Sequence, residues 1–144
     1  MKTTELPVIV TASFDTSKER LWSALTNVDE MCQWFFENIP DFNTDIGFKT
    51  QFEVRSGERI FTHQWKILEY VPNEKLTLNW NYQEYPGDST VSFLISEEDN
   101  HTKLTLTHKV LEDFPTDIPE FKRESCLGGW NYFIKTNLTN YLKA

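Results

Sequence analysis

The sequence predicts an α+β domain in which a curved antiparallel sheet wraps around a long C-terminal helix, with two short helices after the first strand. Three observations carry this prediction. Hydrophobic residues alternate with period 2 through a run of segments from Phe48 to Val110. Helical spacing brackets that run, briefly after Phe14 and again from about Thr116 onward. The joints between the strand-like segments are only a few residues long, which makes consecutive strands antiparallel neighbours.

The chain opens with Val8-Ile9-Val10-Thr11-Ala12-Ser13-Phe14, a strand rich in β-branched residues. Thr16 followed by Glu19 is a capping-box pattern that places a helix start near Ser17, and Leu21, Trp22 and Leu25 share one face of that helix. Asn27 with Glu30 repeats the signal and starts a second short helix carrying Val28, Met31, Trp34 and Phe35. Phe36 to Thr44, with Pro40, reads as a loop.

The period then changes. Phe48, Phe52 and Val54 fall on one strand face, with Lys49, Gln51 and Glu53 on the other. Beyond the turn at Ser56-Gly57-Glu58, the strand from Ile60 to Val71 places Phe61, His63, Trp65 and Ile67 on a shared face. Val71-Pro72-Asn73-Glu74 turns the chain, and Leu76, Leu78, Trp80 and Tyr82 alternate with Thr77, Asn79 and Asn81. Tyr85-Pro86-Gly87-Asp88 leads to Val91, Phe93 and Ile95, and a turn at Glu97 to Asn100 leads to Leu104, Leu106, His108 and Val110. Phe121, Leu127, Trp130, Ile134, Leu138 and Tyr141 or Leu142 then mark a terminal helix of roughly two dozen residues. Gly128-Gly129 inside it costs about 0.8–1.0 kcal/mol per residue relative to alanine, which predicts a close backbone approach or a kink. No other amphipathic element is long enough to cover the apolar face of the sheet, so sheet and terminal helix must pack on each other in a helix-grip arrangement.

Composition narrows the function classes. The 144 residues make one domain, spanning 1–144. A net charge of −8 argues against nucleic acid and anionic lipid as partners. No apolar run reaches the ~18 residues of a membrane span. Met1-Lys2-Thr3-Thr4-Glu5 has no secretory h-region, and Cys32 and Cys126 lie far apart outside any C-x-x-C spacing, so a cytoplasmic location is expected. No cofactor or metal is expected: the three histidines and two cysteines show no ligand spacing, and Glu37, Asp41 and Asp45 read as a solvated acidic loop.

Several segments resemble a known family. Phe14-Asp15-Thr16-Ser17-Lys18-Glu19-Arg20-Leu21-Trp22-Ser23-Ala24-Leu25-Thr26 is similar to the opening of START-like (SRPBCC, Bet v 1-like) domains. Ile67 to Trp80, with Glu69, Pro72, Leu76 and Trp80, looks like that family's hairpin, and Gly129-Trp130 is similar to its terminal-helix motif. In order, these segments resemble the branch named after the activator of Hsp90 ATPase, although Trp34-Phe35-Phe36 stands where that branch usually has Trp-Trp. The resemblance implies the helix-grip fold over nearly the whole chain. It also implies three functional readings: a non-enzymatic module binding a small hydrophobic or aromatic ligand, a polyketide cyclase/dehydratase-like enzyme, or a chaperone-interacting protein, as monomer or homodimer.

Candidate site residues follow from the inward faces. Phe, Trp and Tyr make up 15% of the chain. Trp34 and Phe35 of the second helix, Phe52, Phe61, Trp65, Trp80 and Phe93 of the sheet, and Trp130, Phe133 and Ile134 of the terminal helix either line an apolar ligand cavity or fill it. Tyr82, His63 and His108 would supply polar contacts. The two histidines are also the only candidates for acid–base chemistry, the alternative being buried neutral imidazoles with local hydrogen bonds. Cys126 reads as a small packing residue rather than a nucleophile.

Overall fold

A computed structural model describes residues 1–143. The elements run β1 (Val8–Phe14), α1 (Lys18–Thr26), α2 (Val28–Trp34), β2 (Lys49–Ser56), β3 (Arg59–Val71), β4 (Lys75–Tyr82), β5 (Asp88–Glu98) and β6 (His101–Glu112). A short 3-10 turn at Pro119–Phe121 precedes the terminal helix, which comprises α3 (Arg123–Asn131), a π-wound stretch (Tyr132–Leu138) and α4 (Thr139–Lys143). The six strands form one antiparallel sheet in the order β1-β6-β5-β4-β3-β2. β1 and β2 are the two edges, and the only crossover is the connection between them, which carries α1 and α2 from one edge of the sheet to the other.

Local chemistry explains the boundaries. Ser17 caps α1 by accepting from the Arg20 N–H, and Asn27 both ends α1 and caps α2 by accepting from the Glu30 N–H. One asparagine thus serves two helices and makes the corner tight. Trp34 Nε1 donates to the Ala24 carbonyl at 2.8 Å and locks the two helices together. Glu30 then receives hydrogen bonds from Arg20, Ser23 and Tyr141, the last at 2.8 Å, so α4 is tied to the same corner.

The inward residues are those of the period-2 pattern. Val8, Val10, Ile67, Leu76, Leu78, Val91, Phe93, Leu104 and Leu106 are all buried, and Ile134 and Leu138 of the terminal helix pack into the same cluster. Trp80 is 4% exposed and Leu106 is fully buried. At about 25 cal/mol per Å² of apolar surface removed from water, this cluster is the main stabilising term.

Several features differ from the sequence expectations. Helix does not begin near Thr116. Pro119 lacks an N–H and biases Ile118 toward extended backbone (φ −101, ψ 114), so continuous helix waits until Arg123. The turn expected over Glu97 to Asn100 shrinks to Asp99-Asn100, both with positive φ, and His101 already belongs to β6. A bulge between Ile67 and Glu69 reverses the alternation in β3, turning Tyr70 inward against Trp22 at 5.9 Å between ring centroids. Gly128 and Gly129 meet no close backbone: a Cβ at either would find nothing within 4 Å. The winding changes downstream of them, at Tyr132.

Phe61 belongs to a second, smaller core with Met1, Phe114 and Phe121. Trp65 keeps one orphan donor, since its buried Nε1 has no hydrogen-bond partner among the described residues. The Phe52 ring lies edge-on to it at 4.8 Å and 83°, a T-shaped contact inside the aromatic core.

Candidate functional site

Cross-strand register builds the site. On the inner face Phe52 pairs with His63 and His63 with Tyr82, while Trp80 pairs with Trp65 on one side and Ser89 on the other. Across from these positions the terminal helix presents Cys126, Gly129, Trp130 and Phe133, which have the i, i+3, i+4, i+7 spacing of a single helix face. Between them lies a cavity of about 130 Å³, lined from the sheet by His63, Trp80, Tyr82 and His108. Phe36, Met1 and Glu120 complete its wall.

Six of the thirteen residues singled out in the sequence therefore border this cavity: His63, Trp80, Tyr82, His108, Trp130 and Phe133. The other seven lie elsewhere. Trp34, Phe35, Phe52, Trp65, Phe93 and Ile134 are buried in the main core, and Phe61 in the second one. Phe35 explains much of the shrinkage. Its ring stacks on Trp34 at 4.7 Å and on Trp65 at 5.6 Å, meets Phe133 edge-on at 4.9 Å, and so occupies the centre of the space between sheet and helix.

Phe36, Cys126 and Gly129 escaped the sequence reading as site residues. The helical spacing of Cys126 and Gly129 with Trp130 and Phe133 was the available signal. Phe36 had none, because it follows the last turn of α2 and its direction is set by Phe35, at φ −101 and ψ −116. It lies 4.9 Å from both His63 and Phe133.

Each polar group has an assignable role. Trp130 Nε1, which can only donate, gives its hydrogen to His108 Nδ1 at 3.0 Å. His108 Nε2 therefore carries the proton and donates to Ser89 Oγ at 2.9 Å, and Ser89 Oγ donates to the Trp80 carbonyl at 2.6 Å. Both imidazole nitrogens are engaged. His63 Nδ1 donates to the Phe61 carbonyl at 3.0 Å, which leaves its Nε2 a lone pair with no partner among the described residues. Tyr82 Oη accepts from Trp80 Nε1 at 2.9 Å and retains its own O–H to donate.

Burial sets the charge states. It lowers His63 to about 4, outweighing the upward pull of the Phe61 carbonyl and of Glu84, and lowers His108 to about 3. Burial likewise pushes the Cys126 thiol up to about 12, and it raises Tyr82 as well. The Cys126 Sγ lies 3.4 Å from His108 Nδ1, yet the pair is a thiol beside a neutral ring rather than a thiolate beside an imidazolium. At neutral pH the imidazoles, the thiol and the phenol that face the cavity are uncharged, whereas its wall also holds the Glu120 carboxylate, 3.5 Å from Arg59, and the Met1 amino group, which donates to the Phe121 carbonyl. No group of three or more His, Cys, Asp and Glu residues that could hold a metal occurs among the described residues, and no described helix is long and apolar enough to cross a membrane.

A six-stranded antiparallel sheet gripping a terminal helix, with a small, largely aromatic cavity between them, defines a helix-grip domain. The chain belongs to the family described as activator of Hsp90 ATPase homolog 1-like protein, whose model matches residues 15–143. Solved structures agree in fold. CV1439 from Chromobacterium violaceum superposes with a TM-score of 0.79 at 16% identity, covering 96% of this chain and 97% of that one. The Aha1 dimer from Colwellia psychrerythraea gives 0.74 at 19% identity, covering 96% of each. DynU16, from the dynemicin biosynthetic locus, gives 0.76 at 20% identity over 97% of this chain, which spans only 48% of DynU16. No curated protein matches the chain at a significant level.

Proposed function

We propose that this protein is a binding module for a small, single-ring aromatic compound carrying one hydroxyl group, held between the sheet and the terminal helix. One observation carries the reading: a 130 Å³ cavity with aromatic walls in which His63 Nε2 offers an acceptor and Tyr82 Oη a donor. The volume limits the ligand. An apolar cavity of about 150 Å³ accepts benzene, whereas drug-sized ligands need about 300 Å³ or more. A phenolic hydroxyl satisfies both open groups at once, donating to His63 and accepting from Tyr82. This ligand is of the small aromatic kind the sequence suggested, and its size is limited because Phe35 and Phe36 fill part of the space.

Turnover has less support than binding. His108 has both nitrogens committed within the protein, and His63, lowered to about 4, is a weak base. The proposal is a reversible binder acting in the cytoplasm.

Calorimetric titration with phenol, benzene and 2-naphthol tests the reading. Phenol binds and quenches tryptophan fluorescence, since Trp80 and Trp130 border the cavity; benzene binds more weakly and the two-ring naphthol is excluded. Absence of saturable phenol binding up to its solubility limit refutes it.

The family description favours a second reading, contact with an Hsp90-type chaperone. Its readout is separate: salt-sensitive binding to purified chaperone, unaffected by phenol.

A further inference from the structure

The opposite, outer face of the sheet carries a concavity of about 490 Å³, larger than the inner cavity and built from different residues. Register arranges its side chains in two cross-strand rows. Lys49 of β2 stands opposite Lys66 of β3, which stands opposite Asn79 of β4; Gln51, Gln64 and Asn81 form the parallel row. Two lysines directly opposed on a sheet face repel each other. Neither forms an ion pair with a carboxylate among the described residues, although the chain has 22 Asp and Glu against 14 Lys and Arg. The carboxylate at the margin, Asp88, is taken up locally: it accepts from Asn79 at 2.7 Å, from Asn81 at 3.1 Å and from the Ser89 N–H at 3.0 Å. The two glutamine amides touch only at 3.4 Å, leaving the Gln51 N–H groups and the Gln64 carbonyl open.

We propose that this trough binds a small anionic polyol, its acidic group between Lys49 and Lys66 and its hydroxyls along the amide row. The lysine pair supplies the charge that an anion neutralises. Amides that donate and accept suit hydroxyl groups, and the volume falls within the ordinary range of small-molecule sites. A phosphate monoester and a carboxylate share this chemistry.

Calorimetry with glucose 6-phosphate, gluconate and neutral glucose, together with backbone amide shifts by NMR, tests the proposal. Saturable binding of at least one of the two anions is expected, with shifts confined to residues around 49–51, 64–66 and 79–81 and none from glucose at equal concentration. Whichever anion binds tells phosphate from carboxylate. The double variant K49Q/K66Q weakens binding at least tenfold, whereas K109Q, on the same outer face in β6, leaves it unchanged. Failure of both anions to saturate, equal binding of glucose, shifts elsewhere, or undiminished affinity in K49Q/K66Q overturns the proposal.

Discussion

Trp130 Nε1 donates to His108 Nδ1 across 3.0 Å, and that one contact joins the terminal helix to the centre of the sheet. It fixes the imidazole tautomer, which in turn aims Nε2–H at Ser89 and Ser89 at the Trp80 carbonyl. Four residues on three strands and one helix thus satisfy one another in an otherwise apolar interior. A buried network of this kind specifies a packing geometry more than it adds stability, but breaking it is costly.

His108→Ala removes both of the imidazole's hydrogen bonds in that relay and leaves the Trp130 N–H buried without an acceptor. Unfolding by urea should show a loss of about 2–4 kcal/mol, from the orphaned donor and the space left behind. His108→Gln can still accept and donate, and should recover part of the loss. Equal stability of both variants and the native protein would mean that the relay does not hold the helix.

Stability should also depend on pH in a defined window. His63 and His108 titrate at about 4 and about 3 in the folded protein, against about 6.5 for an unperturbed imidazole. The unfolded chain therefore binds more protons than the folded one as pH falls below about 6.5, and folding weakens with acid. The stabilisation is fully present above that value. It is lost progressively toward pH 4 for His63 and pH 3 for His108, with a limiting slope of about 1.4 kcal/mol per pH unit for each histidine. Urea midpoints measured between pH 7.5 and 5 should fall with acid, and His63→Gln should flatten the decline. A level profile would show that the rings are not held neutral.

Much of this architecture was legible in the sequence because sheet burial follows period 2. Leu76, Leu78 and Trp80 could hardly be turned any other way, and Asn27 announced its cap through Glu30. Features set by tertiary fit were not legible. The bulge that turns Tyr70 inward leaves an ordinary-looking strand, and the split of Phe61, Phe114 and Phe121 into a second core depends on a fold-back after β6. Cavity size was equally hidden. Whether a ring borders a space or fills it turns on a backbone torsion, as Phe35 and Phe36 show by lying side by side in sequence with only the second one on the cavity wall.

The glycine pair offers a test that separates stability from cavity. Neither glycine has a positive φ, and a Cβ at either meets nothing within 4 Å. Gly128→Ala and Gly129→Ala should each stabilise the protein by about 0.8–1.0 kcal/mol through helix propensity. Only Gly129 borders the cavity, so Gly129→Leu should abolish phenol binding while Gly128→Leu preserves it. Destabilisation by both alanines would point to a close packing that the structure does not contain.

Tyr82 and His63 are expected to divide recognition of the hydroxyl group between them. Tyr82→Phe keeps the ring and removes the donor, so phenol affinity should fall about tenfold, the equivalent of roughly 1.4 kcal/mol. Benzene, which uses neither polar group, should bind the variant as well as the native protein. Because Trp80 Nε1 loses its acceptor at the same time, a stability loss of about 1–3 kcal/mol accompanies the change and must be measured separately. His63→Phe deletes the open acceptor and should produce the same discrimination from the other side, weakening phenol and sparing benzene. If both variants weaken phenol and benzene alike, the cavity recognises shape alone, and the hydroxyl group drops out of the ligand's description.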